Sequence, residues 1–308
     1  MNLSIDKVCA RISMLQHSQK IELLDKGFSL DKKYLITSND YKYILRISDI
    51  NDYEKKRAEF SILKDLQQYQ VFSHRAIEIG VIVDLGVCYT VYSYLDGVDG
   101  IEALPNLTEK EQYKLGLKAG KELFKMNLYP APPSINSWHE RAMKKHYRYL
   151  ESYKNCGIKI KNDEKIIEFI ERNKHFLINR PNRFQHDDFH LGNIIVKNND
   201  YAGVIDFNNY DWGDPYHDFV KVALITRGIS IPFSIGQLNG YFDDSIPDDF
   251  WMLYSIYAAM VVFSTVVWSI KFSPQQSDAM VKRLYAMLED HQYFAISRPT
   301  WYSNLMPK

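Results

Sequence analysis

The stretch HDDFHLGN, His186 to Asn193, followed by VIDFNNYDWGDP, Val204 to Pro215, decides how this chain is read. It sets a carboxylate at Asp188, a carboxamide at Asn193 and a second carboxylate at Asp206, the last at the end of an apolar run. Any one of these residues alone fits a solvated turn. The ordered set fits chemistry: hard oxygen donors suit Mg²⁺, and a further carboxylate can orient a hydroxyl. In-line transfer of a phosphoryl group needs both, because the acceptor must be positioned and the developing charge neutralised.

The pattern resembles the aminoglycoside phosphotransferase superfamily of small-molecule kinases, whose loop reads HGDxHxGN and whose metal strand reads IDF or IDW. The matching residues are His186, Asp188, His190, Gly192 and Asn193, then Ile205-Asp206-Phe207, then WGDPYHDF from Trp212 to Phe219. The resemblance implies an α+β, two-lobed protein-kinase-like fold, with a small β-rich nucleotide-binding lobe over residues 1–95. A larger helical lobe, 96–308, would carry the catalytic loop, the metal site and the acceptor site. Asp188 is then the catalytic base or hydroxyl-orienting group, Asn193 and Asp206 are metal ligands for Mg²⁺, and His186 and His190 brace the loop. Asp187 departs from the usual glycine. Either the backbone there suits a residue with a side chain, or Asp187 contacts a cationic substrate.

In the small lobe, Arg46 of YILRI stands where the family often has the lysine that contacts the nucleotide phosphates, and Glu59 matches that cation's acidic partner. Gly27, in DKGFSLDKKY, is the only glycine placed to cradle phosphate, which is a weak signal. Tyr92, Ser93 and Leu95 fall on the inter-lobe connector expected to meet the purine. The phosphoryl donor is ATP or GTP; a bulky ring at Tyr92 would favour GTP. Acceptor candidates are Asp187, Asp211, Asp243, Asp244 and Glu289, since each ammonium of a polycation must be paired when it leaves water. The acidic run Asp243 to Asp249 reads equally well as a turn capping the next helix.

Composition narrows the alternatives. The 38 basic residues of the 308 balance the 38 acidic ones, so no overall field selects nucleic acid or an anionic membrane. Cys9, Cys88 and Cys156 lack CxxC spacing, which fits neither a zinc site nor a disulfide framework and suits a reducing, cytoplasmic location. Phe250 to Ile270 runs 21 residues without a charge, long enough to span a bilayer. Its tyrosines, serines and threonine favour a buried core helix instead.

Strands are expected at Lys20–Gly27, Lys33–Thr37, Tyr41–Ser48, Ala76–Asp84 and Val87–Tyr94, with a hairpin turn at Ser38-Asn39-Asp40 and a helix at Asp52–Leu66 capped by Asp52. Beyond Asp96-Gly97, Thr108 and Glu111 form a capping-box start for a helix running toward Leu128. Further helices are expected at Trp138–Tyr153, Asp163–Phe176, Asp214–Arg227, Ser234–Tyr241, Phe250–Ile270 and Gln275–Phe294. The expected activity is a nucleotide-dependent phosphotransfer to a hydroxyl of a small molecule, foremost an aminoglycoside-type antibiotic, by a monomer or dimer. Alternatives are a choline, amino alcohol, homoserine or macrolide kinase, and a non-catalytic pseudokinase.

Overall fold

A computed structural model describes residues 4–24, 31–38, 41–272, 275 and 277–302. They form two compact units, one of Met1–Gly97 with Ala202–Asn208 and one of Val98–Tyr201 with Asn209–Lys308. Asn39 and Asp40 of the predicted turn fall outside the described residues, as does Gly27.

The first unit contains α1 (Ile5–Cys9), β1 (Lys20–Leu24), β2 (Lys32–Ser38), β3 (Tyr41–Asp49), α2 (Tyr53–Leu66), β4 (Ala76–Ile82) and β5 (Val87–Ser93). Its strands make an antiparallel sheet in the order β1-β2-β3-β5-β4. Strand alternation sorts β3: Leu45 and Ile47 join a core with Val8, Ile12 and Val91, while Arg46 turns to the opposite face. There it meets Glu59 of α2. Asp52 does not cap α2; its backbone is already helical, and Asp49 instead accepts the Asn51 amide at 2.8 Å, opening a single 3₁₀ turn at Ile50–Asp52. The strand expected to reach Asp84 ends at Ile82, because Val83–Leu85 coil into a 3₁₀ turn closed by left-handed Gly86.

The second unit comprises β6 (Val98–Asp99), α3 (Gly100–Ala103), α4 (Glu109–Asn127), α5 (Trp138–Lys154), α6 (Asp163–Asn173), β7 (Arg183–Gln185) and β8 (Ile194–Lys197). The strand β9 (Asp200–Val204) carries the chain out toward residues 202–208; β10 (Asp211–Gly213), α7 (Val220–Leu224), α8 (Ile231–Phe242), α9 (Phe250–Phe272) and α10 (Ser277–Asp290) follow. The Thr108–Glu111 capping box is formed in both directions. The helix expected over Asp214–Arg227 is instead broken into 3₁₀ turns flanking the short α7. Pro215 sits at its start, and at Ile225 the backbone, φ −122° and ψ −63°, leaves the helix.

Two helices of this unit touch backbone to backbone. Gly116 and Gly120 on α4 face α8, and Gly236 and Gly240 on α8 face α4. A Cβ added at Gly120 would lie 2.1 Å from the carbonyl oxygen of Gln237, and one at Gly240 2.1 Å from that of Leu117. Each helix thus carries an i, i+4 glycine pair where a methyl group has no room. The long apolar helix α9 is mostly buried, with 67% of its most apolar window inside the protein. Its Leu253, Ile256 and Tyr257 pack on Trp138, Ala142 and Met143 of α5.

Gly120→Val should therefore force α4 and α8 apart. The expected loss is about 3 kcal/mol or more of unfolding free energy, read by denaturant titration, whereas the same change at open Gly228 should be close to neutral.

Candidate active site

The second unit holds most of the motif. Gln185 of β7 pairs with Asp211 of β10, fixing the strand that delivers the chain to His186. The next residues are held from below by Asp218. Its wholly buried carboxylate accepts the His186 amide at 3.3 Å, the Asp187 amide at 2.7 Å and the Asn127 side-chain amide at 3.0 Å. Burial pushes this carboxyl up to about 6, against the hydrogen bond from Asn127.

Asp187 stands in the left-handed region, φ 55°, which a glycine adopts freely and an aspartate tolerates better than most residues. That accounts for the departure from the usual glycine. Its carboxylate faces His217 at 3.1 Å and the Lys145 ammonium at 3.9 Å, and despite burial these partners hold it down to about 2. Asp211 is likewise paired, with the Arg141 guanidinium. Both candidate acceptor carboxylates thus already face a protein cation, Asp187 the Lys145 ammonium and Asp211 the Arg141 guanidinium.

Asp188 is surrounded on both oxygens. The Lys221 ammonium lies 3.0 Å and His190 Nε2 3.4 Å from Oδ1, while the Asn193 side-chain amide donates to Oδ2 at 3.2 Å and to the Asp188 carbonyl at 2.9 Å. Against burial, which would raise it, His190 and Lys221 hold the carboxyl far below the usual carboxylate range. His190 Nδ1 accepts the Gly192 amide at 3.0 Å, so a neutral ring carries its proton on Nε2, toward Asp188. His186 is buried, with its ring edge-on to Phe189. Asn193 spends its amide nitrogen on Asp188, and its amide oxygen is the group suited to a cation.

Asp243 and Asp244 are exposed and end α8 in left-handed backbone, the Asp244 amide closing on the Asn239 carbonyl at 2.9 Å. They terminate the helix before them. Glu289 is exposed on α10. Among the described residues none of these three forms an ion pair, and none is linked by a hydrogen bond to the His186–Asn193 loop.

The first unit holds Arg46, Glu59, Tyr92, Ser93, Leu95 and Asp206. The Arg46 guanidinium donates to Glu59 at 3.2 Å and, through Nε, to Asp31 at 2.5 Å; Lys56 reaches the same Asp31 oxygen at 2.6 Å. These four charges are nearly enclosed together. Asp31 and Lys56 carry no motif, and sequence reasoning missed them. Despite burial, Lys56 and Arg46 hold the Asp31 carboxyl well below the usual range. Tyr92 is 3% exposed, its ring packed edge-on to His74 and its hydroxyl 3.4 Å from Glu59. It shares the Arg46 face of the sheet, since Thr90, two residues before it, stands opposite Arg46. Ser93 ties the connector to Arg75 through its amide at 3.0 Å and its hydroxyl at 2.8 Å, and Leu95 is half-buried. Asp206 has φ 66°; Asn208 donates to its Oδ1, and Lys33 lies 3.9 Å from its Oδ2.

No group of three or more His, Cys, Asp or Glu side chains forms a metal cage among the described residues. Mg²⁺ does not require one, because it commonly takes one or two protein oxygens and completes its shell with water and phosphate. The carboxylate of Asp206 and the amide oxygen of Asn193 fit that donor chemistry.

The sequence matches the phosphotransferase enzyme family over residues 20–252, and the chain belongs to that family. It is a phosphotransferase of the kinase type. Among solved structures it is similar to a gentamicin complex of APH(2'')-IIa, with TM-score 0.65, 17% identity and coverage of 92% of this chain and 97% of that one. It is also similar to a thermostable mutant of the aminoglycoside phosphotransferase APH(4)-Ia in a ternary complex with ADP and hygromycin B, with TM-score 0.69, 12% identity and coverage of 93% and 98%. ADP-bound aminoglycoside phosphotransferase APH(2'')-Ib gives TM-score 0.65, 16% identity and coverage of 92% and 96%. No curated protein matched by sequence. The α+β kinase-like fold expected from the motifs is the fold these structures share.

The remaining motif acid, Asp214, is fully buried against Arg180, at 2.6 Å from Nε and 3.1 Å from NH2, and takes the Tyr257 hydroxyl at 2.7 Å. Arg180→Met should leave that carboxylate without its cation. A loss of about 3 kcal/mol or more is expected, and thermal denaturation of the variant checks it; an unchanged midpoint would mean that Tyr257 and the Tyr216 amide suffice.

Proposed function

We propose that the chain is a nucleotide-dependent O-phosphotransferase that moves the γ-phosphoryl group of ATP or GTP to a hydroxyl of a small molecule. The observation that carries this is the Asp188–Asn193 pair. One amide orients the carboxylate and keeps a single oxygen donor for a cation, on a loop pinned by Asp218. Asp188 is assigned to orient the acceptor hydroxyl and receive its proton. Asn193 and Asp206 are each assigned to Mg²⁺, which when bound would neutralise charge on the phosphates.

Arg46, positioned by Glu59, is assigned to the nucleotide phosphates, together with Gly27, the connector residues Ser93 and Leu95, and Tyr92 as packing behind them. Its guanidinium reaches phosphate only if Asp31 yields its place. His186 and His190 brace the loop. The reducing setting implied by three free cysteines and the need for nucleotide support a cytoplasmic enzyme.

For the acceptor, an aminoglycoside is the first class to test, because the similar structures named above include gentamicin and hygromycin B complexes. The pairing of Asp187 by His217 and Lys145, and of Asp211 by Arg141, favours a second reading. Under it the acceptor carries fewer positive charges, as an amino alcohol or a macrolide does. A panel of these hydroxyl compounds with ATP and with GTP separates the two, and phosphate transfer to none of them would count against the proposal.

Two substitutions test the assignments. Asp188→Ala should lower turnover by about 10³-fold or more while nucleotide affinity stays nearly unchanged, measured by titration calorimetry beside steady-state assays. Asp206→Asn should raise the Mg²⁺ concentration needed for half-maximal rate, since a carboxamide is a poorer ligand than a carboxylate. An unaltered Mg²⁺ dependence would remove Asp206 from the metal.

A further inference from the structure

The loop's most direct cationic contact comes from a residue outside every motif. Lys221, the second residue of α7, extends its ammonium to 3.0 Å from Asp188 Oδ1. It also faces Asp187 and Asp218, and although desolvation works the other way, these carboxylates keep it firmly protonated. The side chain is a quarter exposed, so the ammonium is neither sealed in the core nor free in solvent. Lys145, the other lysine at the loop, stands 3.9 Å from Asp187 and is more exposed.

In the proposed reaction the acceptor oxygen bonds to the γ-phosphorus as the bond from that phosphorus to the β,γ-bridging oxygen breaks. The bonding pair leaves with the nucleoside diphosphate, and the acceptor's proton passes to Asp188 and on to solvent. A hydroxyl bonded to Asp188 has the phosphoryl group on its other side. A cation one hydrogen-bond length from Asp188 Oδ1 is therefore within one hydroxyl of the equatorial phosphoryl oxygens, where charge is spread in the transition state.

We infer that Lys221 is a catalytic residue whose ammonium moves from Asp188 Oδ1 onto the transferring phosphoryl group, freeing that oxygen to receive the acceptor hydroxyl. The inference rests on the phosphotransferase reading of Asp188. A lysine suits the exchange better than an arginine would, because its compact, rotatable charge can change partner without giving up a bidentate geometry.

The test uses the full chain with Mg²⁺ and ATP or GTP, following nucleoside diphosphate release both with an acceptor from the panel and with water alone. Water is the simplest acceptor and follows the same bond changes. Lys221→Met should lower kcat by about 10²- to 10³-fold with the nucleotide KM within about threefold. Lys221→Arg should recover at least about a tenth of the wild-type kcat, as only a retained positive charge would allow.

A role confined to neutralising Asp187 and Asp188 in the resting protein predicts a lower melting temperature for the Met variant and no selective loss of kcat. That result would overturn the inference, as would equal impairment of the Met and Arg variants. Should the Met variant not fold, the Arg variant decides alone, a kcat within about tenfold of wild type supporting the role and a greater loss overturning it. Absence of nucleotide turnover in the wild type would overturn the reading of the site and this inference with it, whereas wild-type turnover untouched in Lys221→Met would overturn the inference alone.

Discussion

The site depends on one buried carboxylate. Asp218 has no exposed surface to speak of and is pushed up to about 6, so its position is bought with desolvation. The return is geometric: its two oxygens bind consecutive amides, His186 and Asp187, and the side chain of Asn127 on α4. Just past these two amides the backbone turns at the left-handed Asp187, φ 55°. Everything downstream inherits that geometry, including the direction in which Asp188 leaves the chain. The same α4 that supplies Asn127 is held against α8 by four glycines, so the brace is anchored to the most tightly approached helix pair of the second unit.

Charge around the loop is arranged in the same spirit. Each of its carboxylates has a cation assigned to it and an imidazole beside it: Asp187 has the Lys145 ammonium and His217, and Asp188 has the Lys221 ammonium and His190. An unpaired carboxylate in such a place would be driven toward protonation. Paired, both stay ionised, Asp187 down to about 2. Asp188 is for that reason a weak base, and its part in the proposed mechanism is to orient a hydroxyl and accept a proton that the forming O–P bond has already acidified.

How much of this was legible in the sequence follows from the range of each signal. HDDFHLGN and the IDF strand are short-range patterns, so the kinase-like fold and the family could be read from them. The Thr108–Glu111 capping box is equally local and formed as expected. Partners distant in sequence were not legible: nothing near Lys221 announces Asp188, and nothing near Lys56 announces Asp31. The glycine pairs at 116/120 and 236/240 did carry a signal, their i, i+4 spacing on two helices, which went unread. Asp52 was misread because an aspartate before a helix looks like a cap until the preceding Asp49 is seen to take the first amide. The face that Tyr92 takes has the same root: the register of β5 against β3 sets it, and register is a property of the pair.

The first unit resolves its own charge problem in a way that gives Arg46 meaning. A lysine at that position would bring a single ammonium to Glu59. The guanidinium reaches Glu59 with NH1 and Asp31 with Nε at once, and Lys56 adds a second cation to Asp31, so two positive and two negative charges are enclosed with partners on each. Such a cluster is tolerable only when complete, since removal of any one member leaves a buried charge uncompensated. The arrangement also contains its own opening. Asp31 is the member borne on the segment between β1 and β2, and it offers two cations a carboxylate where the phosphotransferase reading would have them meet a phosphate. Under that reading the phosphate would displace Asp31, so the cluster must open before a nucleotide can meet Arg46.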